Sequence, residues 1–258
     1  MKKFYPVLAL VAIITLFLIG LIGWRCGVMP MRVGQKTTED RVQEILQKKP
    51  HLKRIAQSAK GKLSIYVFKS ERRVELHAPG WTEPRVYPMT AFSGRLGPKL
   101  VEGDGQIPEG LYGVEYLNPN SRFHLSLKVS YPNAEDRAQA AKDGREHPGT
   151  NIMIHGKAAT VGCVPVGDDA IEDIFYLVAL VGRENVSIVM APYDMRQGRR
   201  PDRHGNHLSD PRLQWRSGEA GRYGELCRYF RACQARSRRG PDHKGRQDLL
   251  RFQGRGAQ

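Results

Sequence analysis

The hydrophobic pattern changes several times along the chain, and each change predicts a different kind of structure. Phe4 to Trp24 is an uncharged, largely apolar run preceded by Lys2 and Lys3. About 21 such residues are enough to span a bilayer as one helix. From about 34 to 60 the apolar positions thin out. Thr37 or Thr38 can cap a helix there, Glu39 and Asp40 fall in its first turn, and Val42, Ile45 and Leu46 form a narrow stripe. Pro50 should end or kink it. This helix is expected either to lift the following domain off a membrane or to pack on its flank.

From Leu63 the period drops to two. Leu63, Ile65 and Val67 alternate with other residues, and Val74 and Leu76 repeat the alternation after the turn Ser70-Glu71-Arg72-Arg73. Further strand-like runs fall near 85–92, 110–116, 123–130, 151–155 and 186–190. Between the last two, Asp168 and Asp169 open a helix whose apolar residues Ile171, Ile174, Phe175, Val178 and Val181 recur at helical spacing, with Gly182 as its stop. Those side chains are core. The predicted fold class is mainly β with α: an antiparallel or mixed sheet assembly with one or two flanking helices, preceded by an N-terminal transmembrane helix.

Charge changes the picture at the two ends. The chain carries a net charge of +15, and residues 195–258 hold 16 Lys/Arg against 6 Asp/Glu. Few aliphatic residues accompany that charge, so a flexible tail is predicted. An anionic lipid or wall polymer is the expected partner of the tail, with a merely solubilising role as the other reading; nucleic acid is not expected behind an export signal. The lysines before the apolar run place the N-terminus in the cytoplasm, and no small-x-small cleavage site follows the run. An uncleaved signal anchor is therefore favoured over a cleaved signal peptide. Cys26 has bulky Trp24 and Arg25 before it, unsuited to lipidation. Cys227 and Cys233 could pair in an oxidising compartment, and the sequence leaves that open. No glycine-rich phosphate loop follows a strand and no paired Cys/His spacing marks a metal site, so no cofactor and no metal are expected.

The candidate chemistry lies in Ile152-Met153-Ile154-His155-Gly156-Lys157-Ala158-Ala159-Thr160-Val161-Gly162-Cys163. A thiol attacks a carbonyl as thiolate, and an imidazole can take its proton and return it to a leaving amine. Apolar Ile152 and Ile154 predict a short buried strand ending at His155. Gly156 and Gly162 let the loop turn back, and Gly162 is expected to leave room for a carbonyl to approach the Cys163 N–H as an oxyanion donor. By spacing alone, a buried cysteine and a locally satisfied histidine are the favoured reading over nucleophilic catalysis.

The string His155-Gly156 … Thr160-Val161-Gly162-Cys163 resembles the signature of the L,D-transpeptidase catalytic (YkuD) domain family. Further segments agree in order: Leu96-Gly97-Pro98-Lys99, then Gly103-Asp104-Gly105-Gln106-Ile107-Pro108-Glu109-Gly110-Leu111-Tyr112, then Asn118 to Ser126 and Tyr131-Pro132-Asn133. These and the short His-to-Cys spacer are similar to the compact YafK-like subgroup, over residues 62 to 192. The resemblance implies a β-sandwich-like fold and an envelope enzyme acting on peptidoglycan stem peptides. Cys163 would form a thioester with a diaminopimelate carbonyl, and an amine or water would accept the acyl group. On this mapping Cys163 is the nucleophile and His155 the general acid/base. Thr160 either orients the imidazole or closes its own turn. A hydrolase of the same chemistry and a non-catalytic wall-binding scaffold are the alternatives. The larger branch of the family has an arginine two residues after the cysteine; here Val164 and Pro165 follow. Carboxylate recognition then falls to Arg95, Lys99 or Arg122, each of which also reads as an ordinary surface charge, while His124 either lines the cleft or, as the favoured reading, caps a sheet edge. The expected organisation is an anchor at 1–25, a helical spacer at 26–61, the catalytic domain at 62–193 outside the cytoplasm, and the basic tail at 194–258.

Overall fold

The structure, a computed structural model, describes residues 13–15 and 34–197. The rest of the apolar run, the basic tail from 198 on, and Cys26, Cys227 and Cys233 lie outside the described residues, and so do the readings placed on them. Among the described residues no helix is long and apolar enough to cross a membrane.

Eight strands form one mixed sheet. They are β1 (Leu63–Phe68), β2 (Arg73–His77), β3 (Arg85–Pro88), β4 (Gly110–Ser121), β5 (His124–Val129), β6 (Met153–His155), β7 (Val164–Pro165) and β8 (Val186–Ala191), in the order β3-β2-β1-β8-β4-β5-β6-β7. The β1–β8 and β6–β7 pairs are parallel and the others antiparallel. The long strand β4 joins the two halves. Its residues Gly110–Gly113 pair with β8, and residues from Val114 onward pair with β5, with a register shift between Val114 and Tyr116. A shift of this kind bends a strand and increases its twist, which curls the sheet at its middle.

Four α-helices accompany the sheet among the described residues, where one or two were expected: α1 (Thr38–Lys48), α2 (Leu52–Ser58), α3 (Ala134–Lys142) and α4 (Asp168–Val181). Helix α4 is the centre of the core, with Ile171, Ile174, Phe175, Leu177 and Val178 fully buried. As Pro50 predicts, α1 stops short of it, and the chain resumes as α2. Ile45 and Leu52 are at most 2% exposed and belong to the same apolar cluster as α4. Residues 38–58 are thus packed on the domain's flank rather than standing off it. The Asp173 carboxylate fastens this layer, accepting from Lys49 at 2.9 Å and from Arg85 and Tyr87 at 3.0 Å each. Helix α3 escapes the periodicity reading because it buries little besides Ala140 and Asp136. Its local signal is a capping box, in which Asn133 and Asp136 bond each other's backbone N–H groups.

Alternation in β1 sends Leu63, Ile65 and Val67 to the main core, and Tyr66 and Phe68 to a smaller cluster with Val189 and Ala191 on the opposite face. That second face is closed by charge. Arg73 and Arg196 stack on the Phe68 ring at 4.8 and 4.9 Å, and both reach Glu75 at 2.8 Å and Asp194 at 2.7 Å. Burial alone would raise the Glu75 carboxyl, but hydrogen bonds from His77 and Arg73 and the Arg196 charge outweigh it and hold the group at about 2. A carboxyl depressed on folding stabilises the native state above its ordinary value of 4.5 and loses that contribution as pH falls toward 2. The contribution is at most about 3 kcal/mol. Glu75→Gln should therefore lower stability at pH 7 and flatten the acid limb between pH 4.5 and 2, measured by urea unfolding across pH. An unchanged limb would place the acid sensitivity elsewhere.

Candidate active site

Strand alternation sets the site. In the register of β5, β6 and β7, Leu127, Ile154 and Val164 lie side by side and are fully buried on the face covered by α4. Their neighbours must point to the opposite face. That face carries Asn118, Ser126, His155 and Pro165 in one row, and Tyr116, Lys128 and Met153 in the next. Cys163, two residues before Pro165, continues the second row. His155 and Cys163 thus flank Ile154 and Val164, the pair that joins β6 to β7, on the side of the sheet away from α4.

His155 is buried at 2% exposure. Its Nδ1 lies 2.6 Å from the Gly156 carbonyl. A carbonyl only accepts, so Nδ1 carries the proton and the Nε2 lone pair is left for chemistry. The Phe123 ring packs against the imidazole with centroids 4.6 Å apart. Burial lowers the imidazole below its ordinary value, and the Gly156 carbonyl, which favours the protonated ring, does not offset this. The base is neutral and held in one tautomer.

Cys163 is half-buried, and its Sγ lies 3.6 Å from the Asn151 carbonyl. Burial pushes the thiol up, against the Met153 N–H and the charges of Lys128 and Lys99, which favour the thiolate. Thr160 has the second of its two expected roles. Its Oγ1 accepts the Cys163 N–H at 2.9 Å and donates to the Cys163 carbonyl at 2.8 Å, closing the turn. The imidazole is oriented by Gly156 instead.

The glycines act differently from expectation. A Cβ on Gly162 would come within 2.9 Å of the Gln106 carbonyl, and its φ is +91°. The space left by the missing side chain is filled by the 105–106 loop, not kept for a substrate carbonyl. The Gly162 N–H donates to Ser93 Oγ at 2.8 Å. Both N–H groups beside the thiol are therefore engaged by hydroxyls, which corrects the reading of the Cys163 N–H as an open oxyanion donor. A Cβ on Gly156 would meet Asp168 Oδ1 at 2.5 Å and the Phe123 carbonyl at 2.7 Å. That site needs glycine so that the loop can lie against the start of α4.

Of the remaining candidates, Lys99 is near enough for its charge to act on the Cys163 thiol, and the others are turned elsewhere. Lys99 is buried and bound to Asp104 at 2.7 Å. His124 turns to α4, with Nε2 3.0 Å from Glu172. Arg95 and Arg122 are exposed, and the Arg122 carbonyl accepts Lys157 Nζ. Sequence reasoning passed over Lys128, 5% exposed on the site face, and Ser93, 12 residues before Gly105 in the chain, whose carbonyl its Oγ bonds. Lys128 had no usable signal, because it alternates with Leu127 and Val129 as a solvent-facing residue would. Ser93 had none either. Among the described residues no group of three or more His, Cys, Asp or Glu side chains is placed to hold a metal.

The comparison with curated proteins shows a resemblance to the L,D-transpeptidase class. The "Putative L,D-transpeptidase YafK" of Escherichia coli K12 is 34% identical over 139 residues, covering 51% of this chain and 54% of that protein. The same protein of E. coli O157:H7 matches equally. The chain thus spans about half the length of the curated relatives it matches. Among solved structures, the helical cell shape determining protein Pgp2 of Campylobacter jejuni aligns with a TM-score of 0.40 at 21% identity, over 52% of this chain and 48% of that one. No family model matches.

Both pKa directions oppose a resting thiolate–imidazolium pair. Alkylation of Cys163 by iodoacetamide in the free protein should rise about tenfold per pH unit from pH 6 to 9, without a plateau. A plateau between pH 5 and 7 would reveal a preformed ion pair and contradict this.

Proposed function

We propose that this chain is a cysteine-dependent L,D-transpeptidase acting on diaminopimelate-containing peptidoglycan stem peptides. The observation that carries the reading is a half-buried thiol and a single-tautomer imidazole placed by adjacent strands β6 and β7 on the same side of the sheet. Similarity to YafK supports the substrate class. Location in the bacterial envelope, anchored in the inner membrane with the domain in the periplasm, rests on the N-terminal apolar run alone.

In this mechanism Nε2 of His155 takes the Cys163 proton as Sγ attacks the stem-peptide carbonyl, so that the thiol is ionised only as the bond forms. The carbonyl carbon becomes tetrahedral with negative charge on oxygen. Collapse breaks the carbonyl-to-nitrogen bond, and the imidazolium returns its proton to the departing amine, leaving a thioester. An acceptor amine, deprotonated by the same imidazole, then takes the acyl group and releases the thiol; water in its place gives hydrolysis. Burial of His155 under Phe123 suits this cycle, because it favours the neutral imidazole that can take the thiol proton.

Cys163→Ala and His155→Ala should each reduce turnover of a disaccharide-tetrapeptide by about 100-fold or more. Mass spectrometry of the products distinguishes the readings. A cross-linked dimer supports the transpeptidase, a hydrolysed stem the peptidase, and an unchanged substrate the scaffold. A Cys163→Ala protein that still turned over stem peptide would remove the mechanism.

A further inference from the structure

Lys69 and Glu109 face each other with neither side chain exposed, Nζ to Oε1 at 2.8 Å. Taking two charges out of water is costly, and an apolar pair of equal volume is commonly as stable or more so. Stability alone therefore does not account for this pair. Its chemistry lets it gather main-chain groups, which hydrocarbon side chains cannot do. The ammonium also donates to the carbonyls of Gly97 and, at 2.8 Å, Ile107. The Glu109 carboxylate accepts the Gly97 N–H at 3.2 Å. Lys69 directly follows β1 and Glu109 directly precedes β4, so these bonds fix the base of the 94–109 loop to the centre of the sheet.

The same loop supports the thiol. The Gln106 carbonyl occupies the space where a Gly162 side chain would begin. Ser93 Oγ donates to the Gly105 carbonyl at 2.7 Å and accepts the Gly162 N–H at 2.8 Å. Cys163 is the next residue. A continuous path of hydrogen bonds and backbone contact thus runs from the buried pair, through residues 105–107 and Ser93, to the nucleophile.

We propose that Lys69 is a positioning residue for the Cys163 loop, with Glu109 as its buried counter-charge: the Lys69 ammonium sets the height of residues 105–107, and these set the backbone of Gly162 and Cys163. The proposal rests on the reading of Cys163 as nucleophile. In this arrangement Lys69 is the tether, since it alone reaches both carbonyls, and Glu109 chiefly compensates its charge.

That division makes stability and activity move in opposite directions in two variants. Glu109→Gln keeps a side-chain oxygen beside Lys69 but removes the counter-charge. It should lower Tm clearly while kcat of the folded protein stays within about threefold of wild type. Lys69→Met with Glu109→Gln removes both charges at nearly constant volume. The double variant should hold Tm nearer to wild type, yet lose about tenfold or more in kcat with little change in KM, as expected for misplaced reacting groups. Amide exchange, read without substrate by mass spectrometry, should quicken at 94–107 and 159–163 in the double variant only. Native exchange and kcat in the double variant, or kcat falling in step with Tm in Glu109→Gln, would overturn the proposal. Should the double variant not fold, Ser93→Ala tests the same path: exchange at 159–163 should quicken and kcat fall, Ser93→Thr should restore both, and unchanged values in Ser93→Ala would refute it. A wild type with no turnover would remove the enzymatic reading and leave exchange to decide the tether.

Discussion

The pairing of Ile154 with Val164 beneath helix α4 is the constraint on which the site depends. Both side chains are fully buried, and each sits next to one of the two proposed reacting residues. A strand allows no intermediate orientation, so committing Ile154 and Val164 to the core commits His155 and Cys163 to the other face. A slip of one residue in β6 or β7 would bury one of the pair against α4. The apolar side chains of the core, not any bond between the two reacting groups, hold thiol and imidazole on one side of the sheet.

A second constraint is the pairing of main-chain groups in the two loops that meet at Cys163. Every turn there is closed by a short polar side chain. Thr160 bonds both backbone groups of Cys163, Ser93 bridges Gly105 and Gly162, and Asp104 accepts the N–H groups of Leu100, Val101 and Gln106. Buried backbone donors are rarely left unpaired, so the N–H groups beside the thiol take hydroxyl partners in the resting protein. The same economy places two lysines, Lys69 and Lys99, under one loop, each paired with a carboxylate.

Much of this was legible in the residues because the signals are local. Alternation at Leu63–Val67, the helical spacing from Ile171 to Val181, the break at Pro50 and the short strand ending at His155 each lie within one element and appear in the structure. The strand β7 is only two residues long and has no periodicity to read. Helix α3 has too narrow an apolar face, and its capping box at Asn133 was the readable sign. The roles of Gly162 and the Cys163 N–H were misjudged because their partners, Gln106 and Thr160, are fixed by loop packing rather than by spacing. The same holds for Lys69 and Glu109, which are 40 residues apart in the chain and meet only when β1 and β4 flank β8. Long-range electrostatic partners leave no periodic trace.

The central claim is that Cys163 carries the acyl group. Acid-quenched intact mass spectrometry of the full chain, mixed briefly with a disaccharide-tetrapeptide, measures it directly. The account predicts a covalent gain equal to the acyl part of the stem, mapped to Cys163 and lost in Cys163→Ala. An adduct that persists in Cys163→Ala, or turnover with no adduct at any mixing time and direct attack by water, would contradict it.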